Sequence, residues 1–193
     1  MRQPTLISIT LITLMLSTGF IVKDKGWIVG PETKMAIHGQ TNVNSFKCKM
    51  DCYPKPDTLS YYLDDDECMI FFKENLLKIP VINFDCGSKI ITDDFYDVLK
   101  KDQHPHVNIQ FVALERWTGN TEVGGTVYIT LAGITKPFIV KYQINSTSRL
   151  LLLKGRQKIC FSDFNLSPPE KMFGMIKVQD NLEVEFDLAL RSY

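Results

Sequence analysis

The sequence predicts an all-β domain, a sandwich or a barrel of roughly eight to ten short strands. Three observations predict it. Apolar and polar residues alternate with a period of two, turn residues separate the alternating stretches, and few stretches have helical spacing. The alternation is clearest at 180–191, where every second residue from Leu182 to Leu190 is apolar and most residues between them are charged. Such a pattern is typical of an antiparallel strand with one buried face.

Two neighbouring stretches, 125–131 and 138–144, alternate in the same way. The residues between them, Ala-Gly-Ile-Thr-Lys-Pro at 132–137, are rich in turn formers, so this region predicts a β-hairpin. Further strands are predicted at 33–38, 43–50, 58–63, 69–81, 107–114, 149–154 and 157–164.

Two stretches have helical features instead. At 92–101, Phe95, Val98 and Leu99 have the spacing of one helix face, with acidic residues in the first turn and lysines in the last. At 167–174, prolines near the start and Gly174 at the end predict one or two helical turns. Neither stretch is long enough to form a helical layer, so the all-β prediction stands.

The first 22 residues predict export. Arg2 precedes an apolar and hydroxylated run at 5–16, which ends in the small residues Ser17, Thr18 and Gly19. This order is typical of a secretory signal peptide, and we expect cleavage near Gly19, leaving one domain at 20–193. An uncleaved anchor helix stays open, because the uncharged stretch 3–22 is about long enough to span a bilayer. Both alternatives predict a periplasmic or cell-envelope protein.

The distribution of charge and the lack of local catalytic motifs reduce the number of functional classes that fit the sequence. The chain has 22 Lys and Arg against 22 Asp and Glu, interspersed along the sequence, which argues against a nucleic-acid partner. It contains no G-x-S-x-G, H-E-x-x-H or phosphate-binding glycine loop, and the acidic run 64–67 lacks the spacing of a calcium loop. We therefore expect a binding protein rather than an enzyme, with no catalytic residues and no cofactor other than a bound ligand.

The histidines predict a bend rather than a metal site. His104 precedes Pro105, and a residue before proline is disfavoured in the helical region, so the chain turns there from helix to strand. Pro105 also separates the imidazole of His104 from that of His106, and no third ligand accompanies them. His38 is expected at the surface or rim. We expect no metal.

Five cysteines in an exported chain can form at most two disulfides. They are Cys48, Cys52, Cys68, Cys86 and Cys160. A zinc site around Cys48 and Cys52 is a weaker alternative, because no second close pair of ligands completes four. The residues alone leave the pairing open.

Several segments together resemble the YceI-like family, over most of the chain after the leader. In chain order they are TNVNSFKC at 41–48, DFYDVLKKDQHPHVNIQF at 94–111, LAGITKP at 131–137, FSDFNL at 161–166 and IKVQDNLEVEF at 176–186. The family's bend proline and its Gly-Thr-Lys-Pro type of hairpin match Pro105 and 133–137. Two departures stand out: Asn165 replaces a common glycine, though it tolerates positive φ, and 51–72 does not align.

The resemblance implies a lipocalin-like, eight-stranded antiparallel barrel whose lumen takes a polyisoprenoid chain, such as a quinone or an isoprenyl lipid. The inward apolar sets of the strands would form the lumen. The expected lumen residues are Phe111, Ile129, Leu131, Val140, Tyr142, Phe161, Val184 and Phe186. A packed small barrel needs the same residues merely to fill its interior, so that alternative stays open. Among the cysteines we expect Cys48 to pair with Cys86.

Three functions follow, in this order of preference. The first is an envelope protein that binds a polyisoprenoid or quinone lipid. The second is a structural or adhesive envelope protein with a filled barrel, and the third is an enzyme acting on an isoprenoid, which needs titratable groups at the tunnel mouth. Association with a membrane surface and formation of a homodimer stay open.

Overall fold

The computed structural model describes residues 25–192 except 65, 67, 74, 120 and 148. The predicted leader and its cleavage site therefore lie outside the described residues. The described part contains twelve strands and one α-helix. They are β1 (Lys25–Val29), β2 (Lys34–Thr41), β3 (Ser45–Met50), β4 (Thr58–Leu63), β5 (Met69–Phe72), β6 (Leu76–Pro80), α1 (Lys89–Val98), β7 (His106–Glu115), β8 (Glu122–Leu131), β9 (Ile134–Ser146), β10 (Leu150–Cys160), β11 (Glu170–Lys171) and β12 (Ile176–Ser192).

The strands form a closed antiparallel ring. Neighbouring strands pair in the order β1, β4, β5, β7, β8, β9, β10 and β12, and β12 pairs back onto β1. The remaining long strands extend this ring: β2 pairs with β12 beyond β1, β3 pairs with β2, and β6 pairs with β7 beyond β5. The lipocalin-like, eight-stranded barrel that the resemblance implies is confirmed.

The extension of this ring by β2, β3 and β6 has a seam, between β3 and β6. These two strands do not pair with each other, and β3 is joined instead to the segment that follows β6. The backbones of Lys49 and Asp85 exchange hydrogen bonds of 2.8 and 2.9 Å. A disulfide links Cys48 to Cys86, while Cys52, Cys68 and Cys160 are free thiols. A covalent bond therefore stands where the other neighbours have a ladder of hydrogen bonds.

The alternation in the sequence determines which side chains enter the ring. On β8, Val123, Val127 and Leu131 are buried, whereas Glu122 and Tyr128 are exposed. The hairpin to β9 turns at Ala132 and Gly133, both at positive φ. The turn is thus two residues long rather than six, because β9 already begins at Ile134. The inward register predicted for β8, β9 and β12 is correct.

An aromatic cluster closes one end of the ring, here called the floor. Trp27 stacks on Tyr61 with ring centroids 4.2 Å apart, and it also contacts Phe72 and Trp117. Phe72 in turn packs against Phe111, further inside the ring, at 5.4 Å. These large side chains fill the cross-section at the floor.

The helical predictions need two corrections. Helix α1 begins at Lys89 rather than residue 92, so Asp93 and Asp94 lie beyond its first turn, and the lysines at 100 and 101 follow its end. The segment 167–174 is not helical. It forms β11 and a turn, because Glu170 and Lys171 pair with the start of β12. The proline and glycine signals of a short helix also suit a hairpin, and strand pairing decides between them.

Three strand predictions are also wrong in detail. The range 69–81 is two strands, β5 and β6, and 149–164 is one long strand, β10, followed by a short 3-10 helix at Ser162–Phe164. Strand β1 was not predicted.

Two local predictions concern single residues of turns. Asn165 stands where the YceI-like family commonly has glycine, and it adopts φ 51°, so the left-handed conformation of that turn is retained. His104 and Pro105 connect the turn after α1 to β7, which confirms the predicted bend. No helix of the described residues is both long and apolar enough to cross a membrane.

We predict that the disulfide contributes substantially to stability. The bond closes a loop with a sequence separation of 38 residues. Replacing both Cys48 and Cys86 with alanine should lower the free energy of unfolding by about 3–4 kcal/mol, since the unfolded chain regains the entropy of the open loop. Urea unfolding checks this value. The matched control is Cys52→Ala, a free and exposed cysteine, which should change the midpoint little. Equal losses in both variants would contradict the prediction.

Gly155 should tolerate no side chain. A methyl group there would lie 2.5 Å from the ring of Phe186 and 2.6 Å from the carbonyl oxygen of Lys141. We expect Gly155→Ala to cost about 1–3 kcal/mol in urea unfolding, because it overpacks the ring interior. The control is Gly124→Ala, whose new methyl meets only the flexible carboxylate of Glu115, at 3.1 Å. Unchanged stability of Gly155→Ala would disprove the close packing.

Candidate ligand-binding lumen

The interior of the ring contains two small apolar cavities. The upper cavity, of about 50 Å³, lies toward α1, and the lower cavity, of about 40 Å³, lies toward the floor. Four side chains line both of them: Met35, Ile109, Ile129 and Val184. The two cavities are therefore separated only by a thin apolar partition.

A third, larger cavity opens at the end of the ring opposite the floor. This mouth cavity measures about 210 Å³ and lies between α1, the β2–β3 hairpin and the β11–β12 hairpin. It shares four lining residues with the upper cavity: Ile37, Phe95, Phe161 and Leu182. Mouth, upper and lower cavities thus form a series along the ring axis, with apolar side chains at each boundary.

All eight expected lumen residues line the two inner cavities. Leu131 and Phe161 line the upper cavity, and Ile129 and Val184 line both. The remaining four line the lower cavity, namely Phe111, Val140, Tyr142 and Phe186. Their contact with a ligand stays a prediction.

Sequence reasoning missed part of the lining. Ile37 and Met35 lie on the inner face of β2, and the alternation at 33–38 contained the signal for them. Phe95 and Leu99 reach the upper cavity from the α1 region. Their helical spacing marked them as buried, but nothing in the sequence placed this helix over the mouth of the ring.

The inner cavities offer few polar groups. Their described lining residues include no carboxylate, imidazole or amine. Burial raises the pKa of the Tyr142 hydroxyl well above its usual range, so this group stays neutral. The side chain of Gln157 also lines the lower cavity, and its amide donates to the carbonyl oxygen of Lys158 at 2.9 Å. Such a lining suits an apolar chain and provides no pair of groups for acid–base chemistry.

Polar groups appear at the mouth. The Lys171 ammonium lies 2.6 Å from the Asp94 carboxylate, which joins the β11–β12 hairpin to α1. Thr41 and Asn44 also line the mouth cavity, and the Thr41 hydroxyl donates to the Asn44 side-chain oxygen at 2.7 Å. The two inner cavities are thus apolar, and the mouth cavity adds a few polar and charged groups to a mostly apolar lining.

The lumen is mostly filled by side chains in this structure. Pockets for small molecules usually measure about 300–1,000 Å³. The two inner cavities, at about 50 and 40 Å³, are far below that range. A ligand chain longer than the mouth cavity enters only if the partition side chains change rotamer.

The remaining histidine, His38, lies on the outer wall. Its Nε2 is 3.0 Å from a carboxylate oxygen of Glu185. This hydrogen bond, with the nearby Arg156 and Lys47, lowers the pKa of Glu185. Within the described residues, no three His, Cys, Asp or Glu side chains are grouped to hold a metal ion.

No protein-family model matches this chain, and no curated protein matches its sequence. Solved structures do match its fold. BcnA of Burkholderia cenocepacia superimposes with a TM-score of 0.59 at 18% identity, over 81% of this chain and 95% of BcnA. A polyisoprenoid binding domain from Saccharophagus degradans, implicated in plant cell wall breakdown, gives a TM-score of 0.61 at 10% identity, over 87% and 98%.

The YceI protein of Campylobacter jejuni also matches, with a TM-score of 0.53 at 14% identity, over 69% of this chain and 79% of that protein. At these identities the likeness concerns the fold. The described part of this chain therefore has the fold of YceI-like proteins, and the resemblance in its sequence is confirmed at the level of the fold.

Proposed function

We propose that the protein is exported and holds a polyisoprenoid or isoprenoid-quinone lipid, with the apolar chain in the lumen and the head group at the mouth. One observation carries the proposal: the mouth, upper and lower cavities lie in series, and each shares lining residues with the next. A long, slender apolar chain is the ligand that fits such a series.

The energetics support a prenyl chain. Each buried CH₂ group contributes about 0.8 kcal/mol, so about ten such groups contribute roughly 8 kcal/mol before the entropy cost of ordering the chain. The partition side chains must move to admit it. Met35 is unbranched and flexible, so it adapts its shape readily to a new neighbour.

Four further observations support this function and location. One of the structural neighbours is described as a polyisoprenoid binding domain. The disulfide between Cys48 and Cys86 is typical of an oxidising compartment outside the cytoplasm. The order of residues in the leader is that of a secretory signal. The absence of titratable pairs among the described lining residues of the inner cavities favours binding over catalysis.

The small inner cavities favour a second candidate, an envelope protein whose barrel serves only as a scaffold. In that case the apolar side chains fill the lumen permanently, as they do in many small barrels. The two candidates differ in one measurable respect, which is whether the native protein contains lipid.

We expect lipid to accompany the native protein. Mass spectrometry of an organic extract of the mature protein, purified from its host without detergent, should find about one isoprenoid lipid per chain. A control extract comes from a secreted protein of similar size, purified in the same way. If the native protein contains no lipid in this assay and takes up no added prenol or quinone, the binding function is wrong and the barrel serves as a scaffold.

A bulky side chain in the partition should block binding. Ile129 lines both inner cavities, whereas Ile139 on the next strand points outward and is 80% exposed. We expect Ile129→Trp to lower the extracted lipid at least about tenfold, at a stability cost of about 1–3 kcal/mol. The matched control, Ile139→Trp, should retain both lipid and stability. Equal lipid in the two variants would place the ligand outside the lumen.

A further inference from the structure

We propose that the mouth of the ring docks on a lipid bilayer, through an exposed apolar surface that we call the mouth patch. Its members are Val43, Ile90, Met172, Phe173 and Met175. The inference rests on the proposed function, because it assigns the surface from which the bound lipid enters or leaves.

The mouth patch surrounds the opening of the mouth cavity. Ile90 lines that cavity directly, and Lys171 and Ile176, which flank the β11–β12 turn, also line it. Phe173 at the tip of this turn is fully exposed, and Met172 and Met175 are 60% and 62% exposed. Large apolar side chains grouped around a cavity are typical of an interaction site rather than of scattered surface residues.

The turn that carries the tip has a fixed shape. Met172, Phe173 and Gly174 all have positive φ, at 51°, 56° and 84°. Two backbone hydrogen bonds hold the turn closed, from Gly174 N–H to the Lys171 carbonyl and from Met175 N–H to the Met172 carbonyl, each 3.2 Å long. Non-glycine residues rarely occupy this region, so the turn adopts a strained backbone that directs two apolar side chains outward.

Side chains tie the turn to the other two segments of the mouth. The Asn42 amide donates to the Met175 carbonyl at 2.8 Å and its oxygen accepts from Lys177 N–H at 3.0 Å. The ion pair of Lys171 with Asp94 holds the turn to α1. The three segments therefore present their apolar side chains as one surface.

The charges near the mouth patch are balanced. The three lysines that flank it in sequence are each paired with an acid. The pairs are Lys89 with Asp93, Lys171 with Asp94, and Lys177 with Glu170. A surface of this kind neither requires anionic lipid nor is repelled by it, so it matches a zwitterionic bilayer.

A bilayer suits the patch better than a second copy of the chain does. A stable protein interface takes about 20–30 residues from each partner, and the mouth patch has five. Its tip, Phe173, is fully exposed on a turn, and a deformable lipid layer accepts such a side chain without a complementary pocket. When the protein is docked in this way, the mouth cavity faces the acyl chains of the bilayer. A prenyl chain then passes from the bilayer into the cavity without crossing water.

Vesicle flotation tests the proposal. The wild-type protein should float with vesicles of phosphatidylcholine, and about equally with vesicles of phosphatidylcholine and phosphatidylglycerol in equal amounts. Phe173→Asn combined with Met172→Asn should lower binding at least about tenfold, and asparagine preserves the turn because it tolerates positive φ. Ile139→Asn, which removes an exposed apolar side chain from the outer wall, should bind as the wild type does.

Fluorescence locates the contact. Both native tryptophans lie at the floor, so Phe173→Trp places a reporter at the opposite end of the ring. Brominated phosphatidylcholine should quench this tryptophan strongly, and should quench Ile139→Trp little. Equal quenching of the two would overturn docking through the mouth.

The lipid assay separates this proposal from the proposed function. If the native extract contains lipid but the wild type does not bind either type of vesicle, docking is wrong and lipid binding stands. If the double asparagine variant binds vesicles as the wild type does, docking through the tip is wrong. If light scattering shows a dimer that this variant loses, the patch joins two copies and the bilayer proposal fails. If vesicles bind through the tip but the protein holds no lipid, only the proposed function fails.

Discussion

The ring depends on the pairing of β12 along both of its edges. One edge pairs with β10 over eleven residues, and the other pairs first with β2 and then with β1. Where the chain passes from β1 to β2, the ladder is interrupted between the pairs Val29–Leu190 and Lys34–Asp187, and two hydrogen bonds of Ala189 bridge the interruption. Gly30 N–H donates to the Ala189 carbonyl at 2.7 Å, and the hydroxyl of the fully buried Thr33 accepts from Ala189 N–H at 3.0 Å. Closure at this strand removes two exposed edges and creates the inside of the barrel.

The sequence predicted the strands best where one face of a strand is buried and the other is exposed to solvent. The periods of β8, β9 and β12 were unambiguous, and their inward register followed directly. The prediction failed where a segment is short or decided by distant pairing. Strand β1 has only five residues, and β11 has two, which form a strand only because β12 lies opposite. No local pattern contains that information.

The candidate site was predictable to a similar degree. Alternation placed seven of the eight expected side chains on the lumen wall, since the period of a strand determines its inner face, and the eighth, Phe161, directly follows the end of β10. It did not reveal the mouth, which is assembled from the β2–β3 hairpin, α1 and the β11–β12 hairpin. Nor does alternation tell a filled lumen from an open one. That difference depends on side-chain rotamers and volumes, to which the pattern of residue types is insensitive.

The seam between β3 and β6 makes the wall of the barrel unequal. Parting any other two neighbours of the ring breaks a ladder of backbone hydrogen bonds. Helix α1 is held by weaker means: Phe95 packs on Phe84 at 5.6 Å, the Tyr96 hydroxyl donates to the Phe84 carbonyl at 2.9 Å, and Asp94 pairs with Lys171. No strand pairing depends on these contacts of the helix, and the disulfide between Cys48 and Cys86 fixes the segment that precedes the helix to β3. The cover over the mouth of the barrel is therefore held by side-chain contacts, whereas its wall is held by backbone hydrogen bonds and one covalent bond.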